Sequence, residues 1–296
     1  MARWDNCGHL TVDISVVWEA LLAHNGGVGR RVGRADNLFL TGRAPAALGG
    51  GLSKVIVITG AGVGLGRALA RRFAADGESV VLLGRTFAKV AAAAAEIGER
   101  AMAIACDVGS PDSVRSAFAA VAARHARIDV LINNAAVFQP FLIAEATDSQ
   151  LLEAIATNLT GPMLCARSAI PLLNRGGHII NVSSESVGMV FPHLVVYQSS
   201  KAGLERFSEG LHHELEPSGI RVTSVRAGQM FEEGKVWNVD PAAAMAFGKA
   251  TMAVGLNLRE RPISHFDSVT NVFRALLDLP PDIAMPTIRL QARKQG

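Results

Sequence analysis

A doubly wound α/β domain built on a parallel sheet of about seven strands is the fold class this sequence predicts. Three observations carry it. Short apolar, β-branched runs alternate with longer helical patterns from Lys54 onward. The first of these runs opens directly into a glycine-rich turn. Small residues dominate: there are 29 glycines, while aromatic residues make up only 5%, which suits close helix–sheet packing better than an aromatic-rich β-sandwich.

The elements follow in order. Val55-Ile56-Val57-Ile58 is apolar without alternation, as a strand buried on both faces is. A helix is expected over 66–76, a second strand over Val80-Val81-Leu82-Leu83 and a helix over 86–97. A third strand follows at 101–105 and a helix over 111–125, with Ser110 as its cap. Val130-Leu131-Ile132 reads as strand four, followed by helices near 149–158 and 161–173. Strand five is His178-Ile179-Ile180-Asn181-Val182; a long helix over 198–214 stops before Pro217. Strand six spans 220–225, helices are expected over 241–256 and 266–277, and a last strand over 287–290. No repeat of 20–50 residues interrupts this order. A single catalytic domain is therefore expected over residues 53–296.

Residues 1–52 differ. They are rich in glycine and arginine, hold one short amphipathic stretch over 11–22, and end in the linker-like Ala46-Ala47-Leu48-Gly49-Gly50-Gly51. A poorly ordered extension, residues added by an upstream start, or an oligomer-contacting arm would each explain them; the first two readings are favoured. No chemistry is assigned there.

Composition narrows the function. The net charge is +3 with no dense basic run, which argues against nucleic-acid binding. Cys7, Cys106 and Cys165 are far apart and lack a C-x-x-C pair, so neither a metal site nor a disulfide framework is expected. The absence of an ~18-residue apolar run, and of a basic region leading into an apolar core at the start, fits a cytoplasmic protein without a membrane anchor.

The chemistry concentrates in two places. Thr59-Gly60-Ala61-Gly62-Val63-Gly64-Leu65-Gly66 joins strand one to a helix, where bare backbone and a helix N-terminus receive a pyrophosphate. No Gly-Lys-Ser/Thr follows, which excludes a P-loop. Strand two ends Leu83-Gly84-Arg85-Thr86, with an arginine rather than a carboxylate where the adenosine ribose would lie. Arg85 could pair with a 2′-phosphate, which favours NADP(H) over NAD(H); a surface arginine capping the next helix is the alternative. The second place is the only tyrosine of the chain, Tyr197, four residues before Lys201. On a helix the two share a face, and an ammonium near a phenol favours phenolate.

The order of the glycine turn, Asn133-Asn134-Ala135 after strand four, Ser183-Ser184 after strand five, and Tyr197-x-x-x-Lys201 resembles the short-chain dehydrogenase/reductase family from about Ser53 to the C-terminus. The resemblance implies a Rossmann fold and hydride transfer between a nicotinamide cofactor and a ketone, aldehyde or secondary alcohol. It implies that Thr59, Gly60, Gly62, Val63, Gly64, Leu65, Gly66, Asp107, Val108, Asn134, Tyr197, Lys201 and Gly228 serve cofactor binding. By the same resemblance Ser184 binds the substrate oxygen, with Ser183 the runner-up, and Tyr197 exchanges a proton with that oxygen. Lys201 would lower the phenol pKa and hold the nicotinamide ribose, and Asn158 would hold a water in a proton relay. A homo-oligomer, dimer or tetramer, is implied through the helices expected at 161–173 and 198–214, with a homotetramer expected.

Two departures stand out. Ala135-Ala136 stands where the family usually has a glycine, which is tolerable if the backbone is not left-handed. Arg226-Ala227-Gly228 lacks the usual proline, and no threonine follows before Thr251. The stretch from Phe231 to Phe266, with Met230, Trp237, Met245, Phe247 and Met252, is either an apolar lid over a hydrophobic substrate or helix-packing core. Two alternatives to a carbonyl reductase or alcohol dehydrogenase remain at this level: a 3-oxoacyl thioester reductase, and a dinucleotide-binding regulatory protein without turnover.

Overall fold

The computed structural model describes residues 53–232 and 239–293, together with the backbone of Arg3–Trp4 and Leu10–Thr11. The extension expected over residues 1–52 therefore falls almost wholly outside the described residues, as do Glu233, Lys235 and Trp237. The chain divides into two units, Met1–Gly50 and Gly51–Gly296. In the first, Arg3–Trp4 pairs antiparallel with Leu10–Thr11.

The second unit holds a seven-stranded parallel sheet. Its strands are β1 (Val55–Thr59), β2 (Ser79–Gly84), β3 (Ala101–Ala105), β4 (Ile128–Asn133), β5 (Leu173–Ser184), β6 (Arg221–Ala227) and β7 (Thr287–Arg289). The spatial order is β7-β6-β5-β4-β1-β2-β3, reversing direction between β1 and β4. Ligands of open α/β sheets bind beyond the strand C-termini at such a switch point. The long helices are α1 (Gly64–Ala75), α2 (Phe87–Ile97), α3 (Pro111–Arg124), α4 (Asp148–Ile155), α5 (Gly161–Ala169), α6 (Val195–Leu215), α7 (Pro241–Ala253) and α8 (Phe266–Leu277).

The apolar runs read as doubly buried strands do fill both faces. Ile56 and Ile58 pack with Leu69, Phe73, Val80 and Phe273 on one side. Val57, between them, packs with Val81, Val114, Leu131 and Ile179 on the other. Successive residues of a strand face opposite ways, so each apolar residue in β1 serves one of two cores.

Helix boundaries moved where local hydrogen bonding overrides the apolar period. Ser110 caps α3 by accepting from Ser113 N–H, and Thr147 with Gln150 forms a capping box that starts α4 at Asp148. The helix expected to continue to Asn158 ends at Ile155 and passes into a π-helical turn, Ala156–Thr160. The helix expected over 161–173 ends at Ala169, where Pro171 forces a 3₁₀ turn and Leu173 already pairs with Ile128. Strand five is much longer than its apolar centre. The tyrosine helix begins at Val195, which places Tyr197 in its first turn. Among the described residues no helix is long and apolar enough to cross a membrane.

Candidate active site

At the C-terminal end of β1 the chain folds through Gly60, whose φ of +66° favours glycine. A Cβ on Gly60 would stand 2.8 Å from the Ala135 Cα, and one on Gly66 2.5 Å from the Gly60 carbonyl oxygen and 2.6 Å from Asn134 Nδ2. Both glycines therefore sit where neighbouring backbone, and for Gly66 also the Asn134 amide, leaves no room for a side chain. Thr59 fixes the neighbouring loop: its hydroxyl accepts N–H bonds from Asn134 and Ala135, both at 3.0 Å. Asn134 returns its amide to the Thr59 and Gly60 carbonyls at 3.0 and 3.3 Å. Neither Ala135 nor Ala136 adopts a positive φ, so alanine is accommodated where the family usually has glycine. No side chain caps the N-terminus of α1 and no acidic residue occupies its first turn, so the positive end of the helix dipole has no side-chain oxygen to neutralise it.

A cavity of about 310 Å³ lies over this turn, lined by Gly60, Gly62, Val63, Arg85, Asp107, Val108 and Asn134 among others. The bare glycine backbone, the uncapped helix end and an arginine at the rim fit a dinucleotide with a charged phosphate. Gly64, Leu65 and Gly66 do not line this cavity. Leu65 is buried in the core beneath the turn, Gly64 backs onto Phe266, and Gly66 supports Gly60 from behind. Asp107 accepts a bond from Gly109 N–H at 3.0 Å, which holds its carboxylate at the β3 exit. Lys89 also lines the cavity. Sequence reading missed it; its place four residues after Arg85, one turn into the following helix, was the available signal.

We expect Gly66→Ala to weaken dinucleotide binding at least tenfold and to destabilise the fold by about 1–3 kcal/mol, the usual cost of overpacking. Calorimetric titration and urea unfolding would check both.

A second cavity of about 260 Å³ is lined by Ser184, Tyr197, Ala227, Gly228, Met230 and Phe247, with Phe138, Phe191 and Leu258 adding apolar wall. Ser184 and Tyr197 line this cavity together, and the Ser184 hydroxyl accepts from Ser186 N–H at 3.2 Å. Phe138 meets the Tyr197 ring edge-on at 5.1 Å between centroids. Ser183, the alternative to Ser184, faces the other side of the sheet: its hydroxyl donates to Glu205 Oε1 at 2.6 Å. Arg226 closes on the same carboxylate through Nε at 2.9 Å and Nη2 at 2.5 Å. Arg226, next to last in β6, thus belongs to an ionic cluster with Glu205 behind the site, while Ala227, its neighbour, lines the cavity.

Lys201 is buried and donates from Nζ to the Val182 carbonyl at 2.8 Å, 6.0 Å from the centre of the Tyr197 ring. Burial lowers its pKa to about 8. The phenol does not follow the expected downward shift: burial raises the Tyr197 pKa, the charge of Glu185 adds to this, and only the Ser184 hydrogen bond opposes it. Desolvation of a would-be phenolate outweighs the distant ammonium in this arrangement. Asn158 is neither a cap nor exposed. Held in the π-helical turn, it accepts from Val137 N–H at 2.8 Å and donates to the Val137 carbonyl at 3.0 Å and Ser200 Oγ at 3.2 Å. It ties the wall of the first cavity to the tyrosine helix.

Of the expected lid, Met230 and Phe247 line the second cavity, whereas Met245 and Met252 are exposed. His193 takes a strained φ of +65° and its carbonyl accepts from Phe141 N–H, but it does not line the cavity. Among the described residues no group of three or more His, Cys, Asp or Glu side chains is placed to hold a metal.

Residues 54–233 match the family model described as short chain dehydrogenase. A serine 3-dehydrogenase of Agrobacterium fabrum is 37% identical over 183 residues, covering 60% of this chain and 72% of that protein. A 3-ketoacyl-(acyl-carrier-protein) reductase from Brucella melitensis, solved with NADH, superposes with a TM-score of 0.67 at 25% identity, covering 80% of this chain and 96% of that one. A metagenomic short-chain oxidoreductase solved with NADP gives a TM-score of 0.65 at 26% identity, covering 82% and 98%.

Proposed function

The chain belongs to the short-chain dehydrogenase/reductase family of oxidoreductases, and from that premise we propose an NADP(H)-preferring enzyme that interconverts a carbonyl compound and a secondary alcohol. The observation that carries this reading is Ser184 and Tyr197 facing one largely apolar cavity beyond the C-terminal ends of β5 and β6. Bound nicotinamide would supply or accept the hydride. The chain's own groups would do the rest. Ser184 and Tyr197 would bind the substrate oxygen and stabilise its developing charge, and Tyr197 would give or take its proton. Lys201 and Asn158, buried behind the tyrosine, would hold the site and relay that proton.

The preference for NADP(H) rests on Arg85 and Lys89, two cations on the wall of the cofactor cavity. Arg85 is bonded to Glu153 at 2.8 Å, but its side chain is 63% exposed. An exposed pair of this kind is worth at most about 1 kcal/mol. A charge-assisted bond to a phosphate is worth about 1.5–3 kcal/mol, so a 2′-phosphate would displace Glu153. Of the two solved relatives, one carries NADP and the other NADH, so this chain's own cations support the choice.

Titration calorimetry with NADPH and NADH, followed by a screen of ketones and aldehydes with the tighter cofactor, tests the reading. NADPH is expected to bind tighter, and Arg85→Ala to weaken NADPH by roughly ten- to a hundredfold while leaving NADH unchanged. Equal binding of both would remove the Arg85 argument. Failure to bind either would end the enzyme reading. We also infer a homo-oligomer, supported by Leu152, Ile155 and Met163 exposed on α4, the π-helical turn's edge and α5. The cytoplasmic expectation belongs to this proposal as well.

A further inference from the structure

The substrate cavity is apolar and aromatic apart from its reacting hydroxyls, a few backbone and small polar groups, and one ion pair. Among the described residues its only charged side chains are Glu185 and Arg261. Arg261 Nη2 donates to Glu185 Oε2 at 2.5 Å, with side-chain exposures of 23% and 9%. Glu185 directly follows Ser184, and its charge is felt at the Tyr197 phenol, so the carboxylate stands beside the reacting centre. It also lies close to the turn that follows β6: a Cβ on Gly228 would stand 3.6 Å from Glu185 Oε2. Arg261 reaches in from the segment between α7 and α8.

Only one contact joins the two groups, so the guanidinium fork keeps donors available. A paired charge in such a place is neutral overall. A purely anionic substrate taking Arg261 would leave Glu185 buried without its partner, and a purely cationic one would do the same to Arg261; both outcomes are strongly unfavourable. A substrate that carries one charge of each sign can replace the pair with two pairs and leave nothing uncompensated.

Resting on the oxidoreductase reading above, we propose that Glu185 and Arg261 determine specificity and that the substrate is a zwitterionic β-hydroxy α-amino acid. Its ammonium meets Glu185, its carboxylate meets Arg261, its hydroxyl lies between Ser184 and Tyr197, and its side chain lies against the wall of Phe138, Phe191 and Phe247. The step balances as a two-electron oxidation. The Cβ–H bond breaks with its hydride leaving to the oxidised nicotinamide dinucleotide, the O–H bond breaks with its proton passing to the Tyr197 phenolate, which becomes the phenol, and a C=O bond forms. The product is a 2-amino-3-oxo acid.

The test compares four forms of one compound, 3-phenylserine: the free amino acid, its methyl ester, its N-acetyl derivative, and the N-acetyl methyl ester. Their net charges are zero as a zwitterion, positive, negative, and zero without charges. Oxidation would be followed with NADP+ in the wild type, Glu185→Gln and Arg261→Gln. A parallel assay would reduce neutral ketones, and calorimetry with NADPH plus a melting curve would establish that each variant is folded. The wild type is expected to favour the zwitterion by at least tenfold in kcat/KM. Glu185→Gln should shift preference to the N-acetyl acid, and Arg261→Gln to the methyl ester. Arg261→Lys, which keeps the charge, serves if the glutamine variant does not fold; it should retain the zwitterion preference. The proposal is overturned if the uncharged derivative equals the zwitterion in the wild type, or if the variants change all four by one factor. It is also overturned, alone, if none of the four reacts while neutral ketones are reduced. Inactivity in both assays would overturn the oxidoreductase reading with it.

Discussion

Tyr197→Phe is expected to lower kcat/KM for carbonyl reduction by roughly 10²–10⁴-fold, the usual worth of a positioned acid or base. The same variant should bind NADPH as the wild type does, because Tyr197 lines the second cavity and not the glycine-turn cavity. The ring keeps its packing against Phe138, so stability should change little. What is lost is the phenol oxygen that faces the cavity beside Ser184. This pairing of outcomes separates an enzyme from a regulatory dinucleotide-binding protein. If the wild type bound NADPH but turned over no substrate, Tyr197→Phe would have nothing to remove. If the variant retained more than a tenth of wild-type activity, proton transfer would have to be assigned elsewhere. The pH dependence has a definite direction too. The phenol is raised by burial and by Glu185, so it is protonated at neutral pH and suited to reduction. Alcohol oxidation needs the phenolate and should therefore speed up steadily as the medium becomes alkaline.

The sequence makes the sheet legible because each strand carries its burial in its composition. Val57 between Ile56 and Ile58 has no polar face to offer, so only a doubly covered strand accommodates the run. The glycine turn was legible for the same kind of reason: a Cβ on Gly60 or Gly66 would stand under 3 Å from neighbouring backbone atoms, which leaves room for nothing larger. What sequence reading could not give is side-chain direction. Ser183 and Ser184 are indistinguishable on paper, and alternation along β5 sends one to Glu205 and the other to Tyr197. The direction of Arg226 was not legible either: Glu205 on α6, twenty-one positions earlier, holds its side chain away from the cavity. Spacing fixes the helix face that Tyr197 and Lys201 share but not the reach of an ammonium, which turns to the Val182 carbonyl and stands 6.0 Å from the centre of the Tyr197 ring. Arg261 had no motif to announce it. It reaches the cavity from a loop, where position depends on the packing of α7 and α8 rather than on any period in the chain.

His178 should make the fold acid-labile well above the pH at which most carboxylates protonate. It lies in β5, 2% exposed, with Nε2 2.8 Å from Thr223 Oγ1 and no hydrogen-bond partner for Nδ1 among the described residues. Burial, reinforced by the charge of Arg221, lowers its pKa from 6.5 to about 3. The folded protein thus keeps the ring neutral while the unfolded chain protonates it. Between those two values the unfolded state binds more protons, so stability rises with pH and is lost as pH falls through 6.5 toward 3. At 1.36 kcal/mol per unit, the loss attributable to this one ring reaches about 3 kcal/mol by pH 4. That is a large share of the total for a fold of marginal stability. Other groups also titrate in this window, so the measurement must be a difference. His178→Gln does not titrate and retains hydrogen-bonding atoms to offer Thr223; it should be less stable than the wild type at pH 7. Urea unfolding at pH 7 and pH 4 should then show the wild type losing about 3 kcal/mol more than the variant over that interval. Equal losses in the two proteins would place the acid lability in the carboxylates, and would mean that the β5 ring takes up its proton without the strand opening.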